Sequence, residues 1–243
     1  MKIRLRNAIY LPQKRLVFVY VPKVACTNWK AILRFLNSGA EDYLNPQLAH
    51  DRQHSGLIYL NSVPEAEQVL HNPAVKKYAF VRNPYSRVLS AFLNKFSEKV
   101  CREEPHFNRV YQEVAAYKEA HKLDPDQEGI TFYAFLHWLR YAETTLTFDE
   151  HWLPQTQIIG EDLSLYENVG HFESLDTDAR SVLDAIGFEG PFPTQTDVKF
   201  KPTNAIAKLR AYYGEREQAL VREIYRKDFG LLRYSTDFEK ALS

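Results

Sequence analysis

Two short strings concentrate the groups that could grip a multiply charged anion. The first is Pro22-Lys23-Val24-Ala25-Cys26-Thr27-Asn28-Trp29-Lys30. It follows an apolar, β-branched run over residues 16–21 and precedes a stretch, 29–36, in which Ile32, Leu33 and Leu36 recur at helical spacing. A loop so placed aims backbone N–H groups at whatever lies before the helix, and the helix dipole favours negative charge there. Lys23 adds a flexible cation and Thr27 a hydroxyl donor. The second string, Val81-Arg82-Asn83-Pro84-Tyr85-Ser86-Arg87-Val88-Leu89-Ser90, follows another apolar run over 78–81. Arg82 falls at the end of that strand, where α/β sheets bind ligands, and its planar fork suits phosphate oxygens. Ser90 lies about two helical turns further on, so a phosphate across the helix start could meet both. Read singly, each residue also has a plain structural reading. Lys23 and Lys30 could be solvated lysines beside a turn, Arg82 the partner of a carboxylate, and Ser90 a surface hydroxyl.

Neither string is a nucleoside-triphosphate P-loop. That motif needs G-x-x-x-x-G-K-[ST], and no glycine occurs between Leu16 and Asn37. The lysine opens the loop instead of closing it. Arg82, not an acid that could hold magnesium, follows the second strand. A magnesium-dependent kinase is therefore disfavoured.

The elements needed to position these groups are strands alternating with helices. Thr27 or Asn28 can cap the helix over 29–36. Residues 37–60 read as a long polar connection, and a short helix is expected over 65–70. Pro84 suits a first helical turn, and the helix it opens runs to Lys95. Further helical periods cover 108–120, 131–141, 177–186, 205–213 and 215–225, with a third strand over 169–172. This pattern predicts one α/β domain spanning 1–243, with a central parallel sheet flanked by helices.

Composition sets the remaining bounds. The 243 residues carry 31 Lys plus Arg against 31 Asp plus Glu, so no global charge draws the chain to nucleic acid. Any anion site must be built locally. No apolar run approaches the length of a membrane span, and the opening residues are too polar for a signal-peptide core. Cys26 and Cys101 make neither a disulfide framework nor a metal site, and both read as reduced thiols. A cytoplasmic protein without a resident metal is the expectation.

The two strings resemble the 5′-phosphosulfate-binding and 3′-phosphate-binding motifs of the sulfotransferases. The likeness is closest to the carbohydrate branch that includes chondroitin and dermatan 4-O-sulfotransferases. That branch carries Pro-Lys-Val-Ala-Cys-Thr-Asn-Trp-Lys, matched from Pro22 to Lys30. It also carries Phe-Val-Arg-[Glu/Asp/Asn]-Pro before Leu-Val-Ser-Ala, similar to Phe80 to Pro84 and Val88 to Ala91, with Asn94-Lys95-Phe96 following. Phe148-Asp149-Glu150-His151-Trp152 and Val169-Gly170-His171-Phe172-Glu173-Ser174-Leu175 resemble later segments of the family. The animal Golgi members begin with a membrane anchor and have additional luminal cysteines, which this sequence does not match.

The resemblance implies a P-loop-kinase-like fold and 3′-phosphoadenosine 5′-phosphosulfate (PAPS) as donor, with no metal. It carries the 5′ side of the donor onto Lys23, Val24, Ala25, Cys26, Thr27, Asn28 and Trp29, with Lys23 beside the leaving oxygen. Arg82 and Ser90 would hold the 3′-phosphate, and Lys201, in a late loop with Lys199 and Thr203, is a further contact or a solvated lysine. A carbohydrate or other hydroxyl acceptor needs a base, and histidine titrates in the right range. His50, in an Ala-His context similar to the chondroitin-type enzymes, leads. His54 and His151 are the alternatives, and each could instead be a structural histidine. The competing functional readings are a nucleotide-dependent kinase and a non-catalytic module binding a nucleotide or an anionic glycan.

Overall fold

The computed structural model describes residues 2–39, 41–194, 196–199 and 202–242. Five strands, β1 (Ala8–Leu11), β2 (Leu16–Val19), β3 (Ile58–Tyr59), β4 (Lys76–Val81) and β5 (Asn168–His171), form one sheet in the order β3-β1-β2-β4-β5. Down the chain the helices are α1 (Cys26–Ser38), α2 (Pro46–His50), α3 (Ala66–His71), α4 (Pro84–Lys95), α5 (Glu98–Glu103), α6 (Pro105–Ala120), α7 (Phe132–Tyr141), α8 (Gln155–Ile159), α9 (Leu175–Ile186), α10 (Ala205–Tyr212), α11 (Glu215–Ile224) and α12 (Arg226–Leu231). The chain divides into two compact units, Met1–Arg82 with Gln155–Pro202, and Asn83–Pro154 with Thr203–Ser243.

The first unit holds the sheet. Its centre is parallel, as the apolar runs predict: β2 pairs with β4, and β4 with β5. The sheet as a whole is mixed, because β1 turns back onto β2 through Pro12–Lys14 and pairs antiparallel, with β3 antiparallel beyond it. Arg15 closes that turn in the left-handed region, at φ 48°. Phe80 and Gly170 face each other across β4 and β5. A Cβ on Gly170 would stand 2.4 Å from the Phe80 ring, so only glycine leaves that ring its place. The same ring packs 4.7 Å from Trp29, and Phe18 also lies 4.7 Å from Trp29. This aromatic group seats the first turn of α1 on the sheet.

The second unit is helical and is built around buried aromatics, among them Tyr85, Phe135, Trp138, Trp152 and Tyr225. Its first helix, α4, begins as the Asn-Pro pair predicts. The Asn83 side chain accepts from the Tyr85 amide at 3.0 Å, and Pro84 occupies the first turn. Thr131 caps α7 in the same manner, accepting from the Ala134 amide at 3.0 Å. Among the described residues no helix is long and apolar enough to cross a membrane.

Candidate functional site

The loop between β2 and α1 reverses direction without glycine. Lys23 and Ala25 both take left-handed conformations, at φ 71° and φ 49°. Such geometry costs a residue with a Cβ about 1–2 kcal/mol, and it tends to persist where a site needs it. The helix starts at Cys26, earlier than expected, with Ala25 as an N-cap that offers no side-chain oxygen. The expected caps are engaged elsewhere: the Thr27 hydroxyl lies 2.9 Å from His50 Nε2, and Asn28 Nδ2 donates to the Pro193 carbonyl at 2.7 Å. The first helical bond runs from the Trp29 amide to the Ala25 carbonyl. The amides of Cys26, Thr27 and Asn28 therefore face out of the helix start, and no acceptor meets them among the described residues. That is the donor set an anion requires.

If the left-handed geometry at Ala25 is a strain held by the surrounding fold, Ala25→Gly should raise Tm by about 1–3 °C, the relieved strain outweighing the entropy added to the unfolded chain. A fall in Tm on scanning calorimetry would show instead that the Ala25 methyl contributes more by packing than its conformation costs.

Arg82 is fixed at the end of β4 by contacts on every side. Its amide donates to Gln155 Oε1 at 2.9 Å, and its carbonyl accepts from Gln155 Nε2 at 2.8 Å. Its guanidinium lies 4.3 Å over the Phe172 ring, and Nη1 donates to the Lys23 carbonyl at 3.0 Å. The side chain that ends one strand thus braces the loop that follows another. Gln155 is fully buried and fills this role with nothing nearby in sequence to announce it.

His50 reaches Thr27 because the connection that carries it is ordered. Asn45 caps α2, accepting from the amides of Gln47 and Leu48, and Pro46 opens it. The buried Arg34 pins the flanking chain to α1 through the carbonyls of Asp42, Tyr43 and Ser55 and the Asp42 carboxylate. His54 turns away onto its own loop, with Nδ1 2.7 Å from Asp51 Oδ2. That contact, aided by the amides of Gln53 and His54, holds the Asp51 carboxyl below its usual range.

Within the first unit the donor loop is thus met at two points, by Arg82 at the Lys23 carbonyl, 3.0 Å away, and by His50 at the Thr27 hydroxyl, 2.9 Å away. The side chains of the other expected residues have other surroundings. Val24 is buried, with its amide donating to Val21. Cys26 is a free, half-exposed thiol. Trp29 is wholly buried among Phe18, Phe80 and Phe192. Its ring is a core group. Lys201 lies outside the described residues, and Lys199 is exposed.

Ser90 and His151 belong to the second unit. Ser90 is buried, its hydroxyl 3.0 Å from that of Thr203. His151 Nδ1 lies 2.6 Å from Asp149 Oδ1, and His106 Nε2 lies 2.8 Å from Asp149 Oδ2. Burial works to raise the Asp149 carboxyl, but the hydrogen bonds from the two imidazoles hold it well below the usual carboxylate range. Burial also lowers His151, against the pull of Asp149. Cys101 is a buried free thiol, pushed up by burial.

A sequence profile described as "Sulfotransferase family" matches residues 6–235. The sequence is 29% identical over 241 residues to carbohydrate sulfotransferase 14 of Danio rerio, covering 96% of this chain and 63% of that protein. It is 30% identical over 243 residues to carbohydrate sulfotransferase 14 of Homo sapiens, covering 95% and 60%. Against carbohydrate sulfotransferase 11 of Mus musculus it is 29% identical over 245 residues, covering 95% and 68%. The chain thus spans 60–68% of the length of these relatives. No solved structure matches it.

Proposed function

Since this chain belongs to the sulfotransferase family, we propose that it transfers a sulfuryl group from PAPS to a hydroxyl of a carbohydrate. The observation that carries the reading is the Thr27–His50 contact. It supports the reading because an imidazole lies against the loop whose amides and lysine suit the donor's 5′ side. The carbohydrate acceptor is favoured by the names of the relatives, all carbohydrate sulfotransferases.

The residues fit such a donor. The amides of Cys26, Thr27 and Asn28 and the Lys23 ammonium form a donor set for the 5′-phosphate side. Arg82 and Ser90 are assigned to the 3′-phosphate by their match to the second motif. PAPS supplies an activated sulfuryl group bonded to a phosphate oxygen. Lys23 stabilises the charge that gathers on that oxygen as the bond to sulfur breaks. The acceptor oxygen bonds to sulfur, and His50 takes its proton. Adenosine 3′,5′-bisphosphate and the sulfated saccharide are the products. The Thr27 hydroxyl holds the imidazole meanwhile, so the base is oriented before the acceptor arrives.

Thermal shift tests the donor half. Adenosine 3′,5′-bisphosphate at a hundred times its Kd should raise Tm by about 5–10 °C through mass action, and adenosine 5′-phosphate at the same concentration by much less. Equal shifts would remove Arg82 and Ser90 from the 3′-phosphate.

A further inference from the structure

Arg82 and Phe172 come together because of how β4 and β5 end. The two strands run parallel with Val81 opposite His171, so the residues that follow, Arg82 and Phe172, leave the sheet side by side. Both main chains are held there. Gln155 clasps the amide and the carbonyl of Arg82. Asp178, on α9, accepts from the His171 amide at 2.7 Å and from the Ser174 hydroxyl at 2.8 Å, so the chain is tied on either side of Phe172.

The side chains then meet face to face. The Arg82 guanidinium lies 4.3 Å over the Phe172 ring. Among the described residues no other aromatic ring or cation lies against that ring, and Phe172 stays half-buried, outside the aromatic group around Trp29. Its face is given to the arginine. Arg82 itself is buried, and the attraction between a cation and a ring face grows as water is removed. The ring sets the plane of the guanidinium, and the bond from Nη1 to the Lys23 carbonyl at 3.0 Å sets its rotation within that plane. A planar fork meets phosphate oxygens well only in the right orientation, and one oriented in advance loses little entropy on binding.

We propose that Phe172 is a positioning residue of the donor site, whose ring holds Arg82 ready for the 3′-phosphate of the nucleotide. The proposal rests on the reading of Arg82 as the residue that meets that phosphate. It adds a side chain, from a different strand, that acts on the nucleotide through Arg82.

Calorimetric titrations of adenosine 3′,5′-bisphosphate and of adenosine 5′-phosphate test it, in wild type, Phe172→Leu, Phe172→Tyr, Arg82→Ala and the double variant Phe172→Leu with Arg82→Ala. Phe172→Leu keeps apolar bulk but removes the ring. It should raise Kd for the bisphosphate by about five- to thirtyfold, the worth of a desolvated cation–ring pair, and Kd for adenosine 5′-phosphate by less than about twofold. Phe172→Tyr, which keeps the ring, should bind the bisphosphate within about twofold of wild type. In the Arg82→Ala background Phe172→Leu should add less than about twofold, because the residue it acts through is gone. The ratio of the two affinities is taken within one protein, so a lowered Tm in Phe172→Leu does not move it. Unchanged bisphosphate binding by Phe172→Leu, an equal loss for both nucleotides, or a loss that persists in full without Arg82 would overturn the positioning role and leave the assignment of Arg82 standing. If Arg82→Ala binds the bisphosphate as tightly as wild type, the assignment of Arg82 itself fails, and the proposal falls with it.

Discussion

Lys23→Ala is expected to lower kcat by about 10²–10³-fold, the range seen when one donor to a developing oxyanion is removed, while changing the Kd for adenosine 3′,5′-bisphosphate far less. The structure gives the physical reason for this split. Lys23 is held in a left-handed conformation, with its carbonyl tied to Arg82. The main chain from which the ammonium projects is therefore set by the fold, independently of any ligand. Three helix-start amides share the ground-state charge of the phosphate, so one cation fewer is tolerated in binding. The charge on the departing oxygen grows only as the bond to sulfur breaks, and an interaction that strengthens at that moment acts on the barrier. Arg82→Ala should show the opposite balance, with weaker nucleotide binding as the main effect. Single-turnover rates and nucleotide titrations on both variants separate the cases. A Lys23→Ala enzyme altered only in Kd would assign Lys23 to uniform binding.

His50→Ala should cost about 10²–10⁴-fold in kcat at saturating donor, the usual worth of a positioned base, with nucleotide affinity nearly intact. Of His50, His54 and His151, His50 is the one bonded to the donor loop. His54 is turned onto Asp51, and His151 is tied to Asp149 in the second unit. His54→Ala and His151→Ala should accordingly retain most of the rate, provided their melting curves match wild type. A fast His50→Ala enzyme beside a silent His151→Ala enzyme would move the role to the imidazole oriented by Asp149.

The parts of this arrangement that were legible in the sequence are those whose cause is local. The string from Pro22 to Lys30 places the loop and helix because an apolar run, a proline and a helical period lie side by side. Asn83-Pro84 marks the start of α4 because the cap and the first turn are made by adjacent residues. The same Asn-Pro signal stands at Asn45-Pro46 and opens α2, within a connection whose polar composition otherwise reads as a loop. β1 and β3 escaped because four and two residues are too few to show a period. What depends on partners far along the chain left no mark. Nothing around Gln155 reveals that it clasps Arg82, and nothing around Arg34 reveals that it pins residues 42–55. Nor does anything around Trp29 reveal that its ring is a core group: Phe80, which packs 4.7 Å from it, comes from β4, and β5 leaves that phenylalanine its place through Gly170.

The interleaving of the two units bears on how the molecule is assembled during synthesis. β4 leaves the ribosome well before β5, with the whole Asn83–Pro154 segment of the second unit between them. Until residues 168–171 emerge, one side of Lys76–Val81, an almost entirely buried strand in the finished protein, has no neighbour to bond its peptide groups. An open apolar strand edge invites pairing with another chain. Of the two lysines that open β4, Lys76 is exposed in the finished protein and Lys77 is buried, its ammonium donating to the Asn72 carbonyl at 2.8 Å, so charge stands at the end of the strand opposite Arg82. A charge on an open edge is the kind of feature that opposes such pairing.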